Sequence, residues 1–129
     1  MAKELETIKQ LHKKLIASKL HAFPEKGKVV VSSKHGVYVI YDSKKMHVLH
    51  VGKTVSGKNG INQRLSNHLG GQSSFSKKYV IPKKIYLRKE AKFRFFEIEN
   101  ARNRSLVEAL TAGLLCPSHI GTGVVPPSK

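Results

Sequence analysis

A chain of 129 residues is the size of one folded unit, and an apolar share of 40% fits a globular domain better than a disordered segment. It carries 24 Lys and Arg against 8 Asp and Glu, a formal net charge of +16, and such a field attracts polyanions, so nucleic acid is the expected partner. No apolar run approaches the roughly 20 residues that span a bilayer, so no membrane partner is expected, and a single cysteine, Cys116, excludes an internal disulfide and fits a cytoplasmic (intracellular) setting.

From Ala2 to His21 the residues Leu5, Ile8, Leu11, Leu15, Ile16 and Leu20 recur at helical spacing among lysines, predicting an N-terminal amphipathic helix within residues 1–23 that Phe23-Pro24 ends. Two short β-type runs follow, Val29 to Val31 and Val37 to Tyr41. Asp42-Ser43-Lys44-Lys45 then turns the chain into a third run, Met46 to Val51. Pairing Asp42 with Met46 would set Tyr38 directly opposite His50 on one face of the hairpin. Both faces carry apolar residues, so helices should cover the sheet on both sides.

Gly52 to Gly60 reads as a loop, and Ile61, Leu65 and Leu69 mark a short helix closed by Gly70-Gly71, with Arg64 and His68 one turn apart. Gln72 to Lys78 is polar enough for a mobile loop, and Tyr79 to Ala91 is ambiguous. Lys92 to Glu99 reads as a strand whose adjacent Phe95 and Phe96 imply either a bulge or two buried faces. A last helix from about Asn103 to Leu115 places Leu106, Leu110 and Leu114 on one stripe and Glu108 on the opposite, solvent-facing side. Residues 121–129 read as an irregular tail. The whole predicts one α/β (α+β) domain, with a small, mainly antiparallel central sheet flanked by helices and an extra N-terminal helix.

Gly36-Val37-Tyr38, then eleven residues, then His50-Val51-Gly52-Lys53-Thr54, followed by Arg64 and Glu108 on helices, resembles the signature of the GIY-YIG nucleases. The resemblance runs from about His35 to His119, and the nuclease-like core is expected over residues 29–120. It implies a metal-dependent endonuclease that hydrolyses phosphodiester bonds in DNA, most naturally double-stranded, with one Mg2+ (or Mn2+) per site. Glu108 is then the metal ligand, Arg64 contacts the scissile phosphate, and Tyr38 is a general base or water-orienting group. His50 and His68 complete the expected catalytic set, His68 as a proton acceptor, and Lys53, Lys58, Lys77 and Lys78 are expected to bind nucleic acid. A homodimer would place two sites so as to cut both strands.

Each of these residues also has an ordinary reading. Arg64 can snorkel beside its helix, Glu108 can pair with Arg104 one turn earlier, and Tyr38 can be a core aromatic. His68 can pack beside Ile61 and Leu65, and Lys53 can be solvated. A P-loop ending in Gly52-Lys53-Thr54 is excluded, because position 47 is His where the first glycine belongs. Cys116 and His119 have the spacing of half a zinc site, for which a buried thiol and a surface imidazole is the simpler account. Two departures from the family pattern stand out: His50 replaces the usual tyrosine, and no Asn follows Glu108, His119 lying near the position where one is expected. They keep open a catalytically silent nucleic-acid-binding module of the same fold, and the charge alone would also suit a basic RNA-associated structural protein.

Overall fold

The computed structural model describes residues 2–120. Helix α1 (Ala2–Ile16) leads to strand β1 (His21–Ala22), and the hairpin β2 (Gly36–Asp42) and β3 (Val48–Lys53) is followed by α2 (Gly60–Leu69). A π-helical turn (Ser76–Val80) and the short α3 (Leu87–Glu90) precede β4 (Ala91–Glu97) and α4 (Ala101–Leu115). The four strands form one antiparallel sheet in the order β1-β4-β2-β3. No helix among the described residues is long and apolar enough to cross a membrane.

β2 is buried on both faces, as a central strand between two helical layers must be. Val37, Val39 and Tyr41 pack against Ile8 and Leu15 of α1 and Val107 of α4. Tyr38 and Ile40 point the other way, onto Ile61 and Leu65 of α2, Phe75 and Phe93. The Phe95-Phe96 pair resolves as two faces and not as a bulge, because β4 pairs with β2 in unbroken register from Gly36↔Glu97 to Asp42↔Ala91. Phe95 joins the α2 side and Phe96 the α1–α4 side.

The hairpin register differs from expectation by two residues. Tyr38 faces Gly52 and His50 faces Ile40, with an irregularity between Ile40 and Tyr41. The Asp42 carboxylate causes the longer turn: it accepts from the backbone N–H of Lys44 (3.1 Å), Lys45 (2.8 Å) and His47 (2.8 Å), and Met46 takes a left-handed φ of 58°. A shift of two preserves the face, so Tyr38 and His50 remain diagonal neighbours.

Three further expectations are corrected. The first helix ends at Ile16 and not near His21, where Ser18 turns its hydroxyl back onto the Leu15 carbonyl (2.6 Å). His21–Ala22 instead pairs with Phe93 and Lys92, and the His21 ring stacks on Phe93 at 5.3 Å. Val29 to Val31 is not a strand, because side chains of α2 capture its N–H groups: Ser66 Oγ accepts from Val29 (2.9 Å) and Asn62 Oδ1 from Val31 (2.6 Å) and Ser32 (2.8 Å). The stripe that α4 buries is Arg104, Val107 and Thr111, whereas Leu114 is exposed. The tail at 121–129 lies outside the described residues.

Gly52 sits so close to the Tyr38 ring that a Cβ there would overlap the phenol oxygen, and a Cβ on Gly36 would overlap the Phe96 carbonyl. Overpacking of this kind costs about 1–3 kcal/mol. Gly52→Ala is therefore expected to lower stability by that amount in urea unfolding, and Gly113→Ala, where a Cβ meets nothing within 4 Å, to leave it unchanged or slightly raised.

Candidate active site

The site lies where β2, β3 and α2 meet. Tyr38 is fully buried, and its hydroxyl is 2.7 Å from Nε2 of His68, whose own Nδ1 is 2.6 Å from Ser73 Oγ. The spacing of α2 explains the contact, since Ile61, Leu65 and His68 form its buried face. His50 lies beside both, with ring centroids 6.1 Å from Tyr38 and 5.2 Å from His68, and it stacks on Phe75 at 4.6 Å. The segment expected as a mobile loop, 72–78, is therefore partly core. Ser73, Phe75 and Ser76 are buried, and only its remaining polar residues, among them Lys77 and Lys78, reach solvent.

Arg64 and Glu108 border this cluster from two helices. The Arg64 guanidinium lies in a groove of about 310 Å³ lined also by Thr54, Ser56, Gln63 and Asn67. Glu108 and His119 line a second groove of about 260 Å³ with Val51, Ala112 and Pro117. Glu108 is not fully solvent-facing: its side chain is 30% exposed, and its charge partner is Lys53 (4.0 Å), which also donates to Ser105 Oγ (2.8 Å). The Arg104 pairing is absent, because Arg104 is buried and donates to the carbonyls of Ile98 (3.0 Å) and Glu99 (2.7 Å). Lys53 thus belongs to the site, whereas Lys58, Lys77 and Lys78 are exposed on its surroundings.

Burial sets the protonation states. It pushes the Tyr38 phenol up, opposed by the Arg64 guanidinium beside it and reinforced by Glu108. Burial pushes the Glu108 carboxyl up, while Lys53 and Arg64 pull it down. Burial, with the charges of His119 and Arg64, pulls His50 down to about 3, and burial with the neighbouring cationic groups holds His68 well below the ordinary imidazole range. His50 is therefore neutral throughout the physiological range.

Sequence reasoning missed Ser73, Thr54 and the role of His119. Thr54 Oγ1 accepts from Gly36 N (3.0 Å) and meets His35 Nδ1 (2.8 Å), while Thr54 N donates to the Gly36 carbonyl (3.0 Å). It clamps the start of the first tripeptide to the end of the second. His119 is buried and Cys116 exposed, the reverse of expectation: the segment after α4 pairs along the edge of β3, with His119 N donating to the Leu49 carbonyl (2.9 Å) and Nδ1 lying 3.2 Å from His50 Nδ1. The only hint in the sequence was the position of His119 after the last helix. Among the described residues no three His, Cys, Asp or Glu side chains form a metal cluster, and Glu108 is the carboxylate that lines the groove beside His119. Comparisons of the chain with protein-family models and with curated proteins return no match.

A histidine whose folded pKa lies below its unfolded value of about 6.5 stabilises the fold fully above that value, and the contribution is lost as pH falls toward the folded pKa. For His50, with a folded value of about 3, the loss between pH 7 and pH 5 is about 2 kcal/mol. His50→Phe, which preserves stacking on Phe75, is expected to flatten the acid limb of unfolding free energy by about that amount. Parallel pH profiles for the two proteins would show that His50 is accessible to protons in the fold.

Proposed function

We propose that the chain is a metal-dependent endonuclease of the GIY-YIG type acting on DNA. The observation that carries this reading is the buried 2.7 Å contact of the Tyr38 hydroxyl with His68, bordered by a groove that Arg64 lines and another that Glu108 lines. These are the groups that phosphodiester hydrolysis requires: a proton acceptor for the attacking water, a fixed cation for the phosphate and a carboxylate for a metal. The spacing of the two tripeptides supports the same reading independently.

In this mechanism Tyr38 orients the attacking water and takes its proton, with His68 behind it as the next acceptor. Arg64 holds a non-bridging phosphate oxygen from the groove that it lines with Thr54, Ser56, Gln63 and Asn67. Glu108 would hold the divalent cation, which supplies charge neutralisation at the phosphate and help for the leaving oxygen. A half-buried lone carboxylate fits a hard ion such as Mg2+, which keeps most of its waters and relies on one or two carboxylates and substrate phosphates. Lys53, at 4.0 Å, balances Glu108 before the cation arrives. His50 keeps a polar ring where the family has tyrosine. Lys58, Lys77 and Lys78 contact the DNA backbone, and a second copy of the chain would supply the second cut.

Glu108→Gln is expected to reduce cleavage of plasmid DNA in Mg2+ or Mn2+ by roughly a hundredfold or more while DNA binding persists. Equal rates for variant and wild type at saturating metal would overturn the assignment. No cleavage by the wild type, with binding intact, would indicate the silent binding module instead. Binding itself is expected to be steeply salt-dependent: with six phosphate contacts, affinity falls roughly a thousandfold between about 50 and 200 mM salt.

A further inference from the structure

His68 has two ring nitrogens, and the hydrogen bonds around it decide which one carries the proton. Ser76 Oγ donates to the His68 backbone carbonyl, and a carbonyl can only accept, so the single hydroxyl proton of Ser76 is committed. In its 3.1 Å contact with Ser73 Oγ, Ser76 must then be the acceptor, which commits the proton of Ser73 as well. Ser73 has no proton left for His68 Nδ1 at 2.6 Å, so Nδ1 carries the hydrogen and donates it. A further N–H, that of Ser76 (3.1 Å), fills the second acceptor position of Ser73. His68, Ser73 and Ser76 are all buried, so no bulk water competes for these bonds.

We propose that Ser73 is a positioning residue that holds neutral His68 in the Nδ1–H tautomer, so that Nε2 presents its lone pair to the Tyr38 hydroxyl as a proton acceptor. The polarity runs in a closed ring, from the His68 carbonyl through Ser76 and Ser73 back to the His68 imidazole. Tyr38 consequently donates to His68 at 2.7 Å and keeps its own lone pairs free to accept a proton. The proposal rests on the nuclease reading for its kinetic consequence. In the hydrolytic step a water O–H bond breaks as its oxygen bonds to phosphorus and the P–O bond to the leaving oxygen breaks, and the leaving oxygen takes a proton from solvent. The water's proton goes to the Tyr38 oxygen while the Tyr38 proton moves to Nε2. Nε2 returns its proton to Tyr38, and Tyr38 releases one to solvent, at the end of the cycle. The opposite tautomer would present N–H to Tyr38 and leave it no acceptor.

The full chain labelled with 15N tests this through long-range proton–nitrogen correlations of the histidine rings, recorded without DNA or metal. Wild-type His68 is expected to show a protonated Nδ1 and an unprotonated Nε2. Ser73→Ala removes the acceptor of Nδ1–H and should shift the ring toward Nε2–H, lower kcat at least about tenfold and leave KM for DNA nearly unchanged. Ser73→Thr, which keeps the hydroxyl, should restore the wild-type tautomer and most of the rate. If Ser73→Ala does not fold, Ser76→Ala frees the Ser73 proton and should give a mixed tautomer. A wild-type ring protonated at Nε2, or a Ser73→Ala ring unchanged from wild type, overturns the proposal. Wild-type protein that cuts no DNA but shows the expected tautomer overturns the nuclease reading and leaves this assignment of the ring standing.

Discussion

A buried phenol hydroxyl must find a partner inside the protein or lose a few kcal/mol, and Tyr38 is such a group at the centre of the sheet. Much of the architecture follows from that requirement. β3 must carry a glycine where the ring leans across it, and Gly52 does. α2 must bring an acceptor to within hydrogen-bonding distance, and His68 does so only because the helix is tied at two levels. Asn62 and Ser66 hold it to the segment before β2, and Ser73 and Ser76 hold the imidazole and carbonyl of His68 from the segment that follows. No buried side-chain polar atom among the described residues is left without a partner, so the polar centre adds order without the cost of an unsatisfied group.

Charge is distributed with the same economy. A chain with a net charge of +16 cannot hold many cations in its interior, and the buried imidazoles of His50 and His68 are neutral. Fixed positive charge at the site comes from Arg64, which lines a groove, and Lys53, beside Glu108. On the proposed reading, an anion such as a phosphate would be drawn by the exterior and met at the site by the Arg64 guanidinium.

His50 shows how a buried imidazole is accommodated at the edge of the sheet. Its ring is nearly parallel to Phe75, at 11°, and its Nδ1 faces Nδ1 of His119, which the chain after α4 delivers along the exposed edge of β3. Covering that edge removes an open row of backbone groups and at the same time provides the second imidazole. The polar partner that a histidine needs in this position thus comes from a segment about seventy residues away.

The first and last helices, α2, the antiparallel hairpin, the burial of both sheet faces and the placement of Arg64 and His68 one turn apart are legible in the sequence, because these depend on local periodicity of apolar residues and on glycine positions. The grouping of the two tripeptides with Arg64 and Glu108 rests on the resemblance to the nuclease signature. The sequence by itself could not decide the hairpin register, because the turn was lengthened by three N–H groups converging on the Asp42 carboxylate, a competition invisible in a hydrophobic pattern. Nor could it show that Val29 to Val31 would give its N–H groups to α2, that Arg104 would turn inward to carbonyls and leave Glu108 to Lys53, or that polar Ser73 and Ser76 would be core residues. In each case a side chain from a distant segment captured a backbone or buried polar group, and only the tertiary structure decides which captures which.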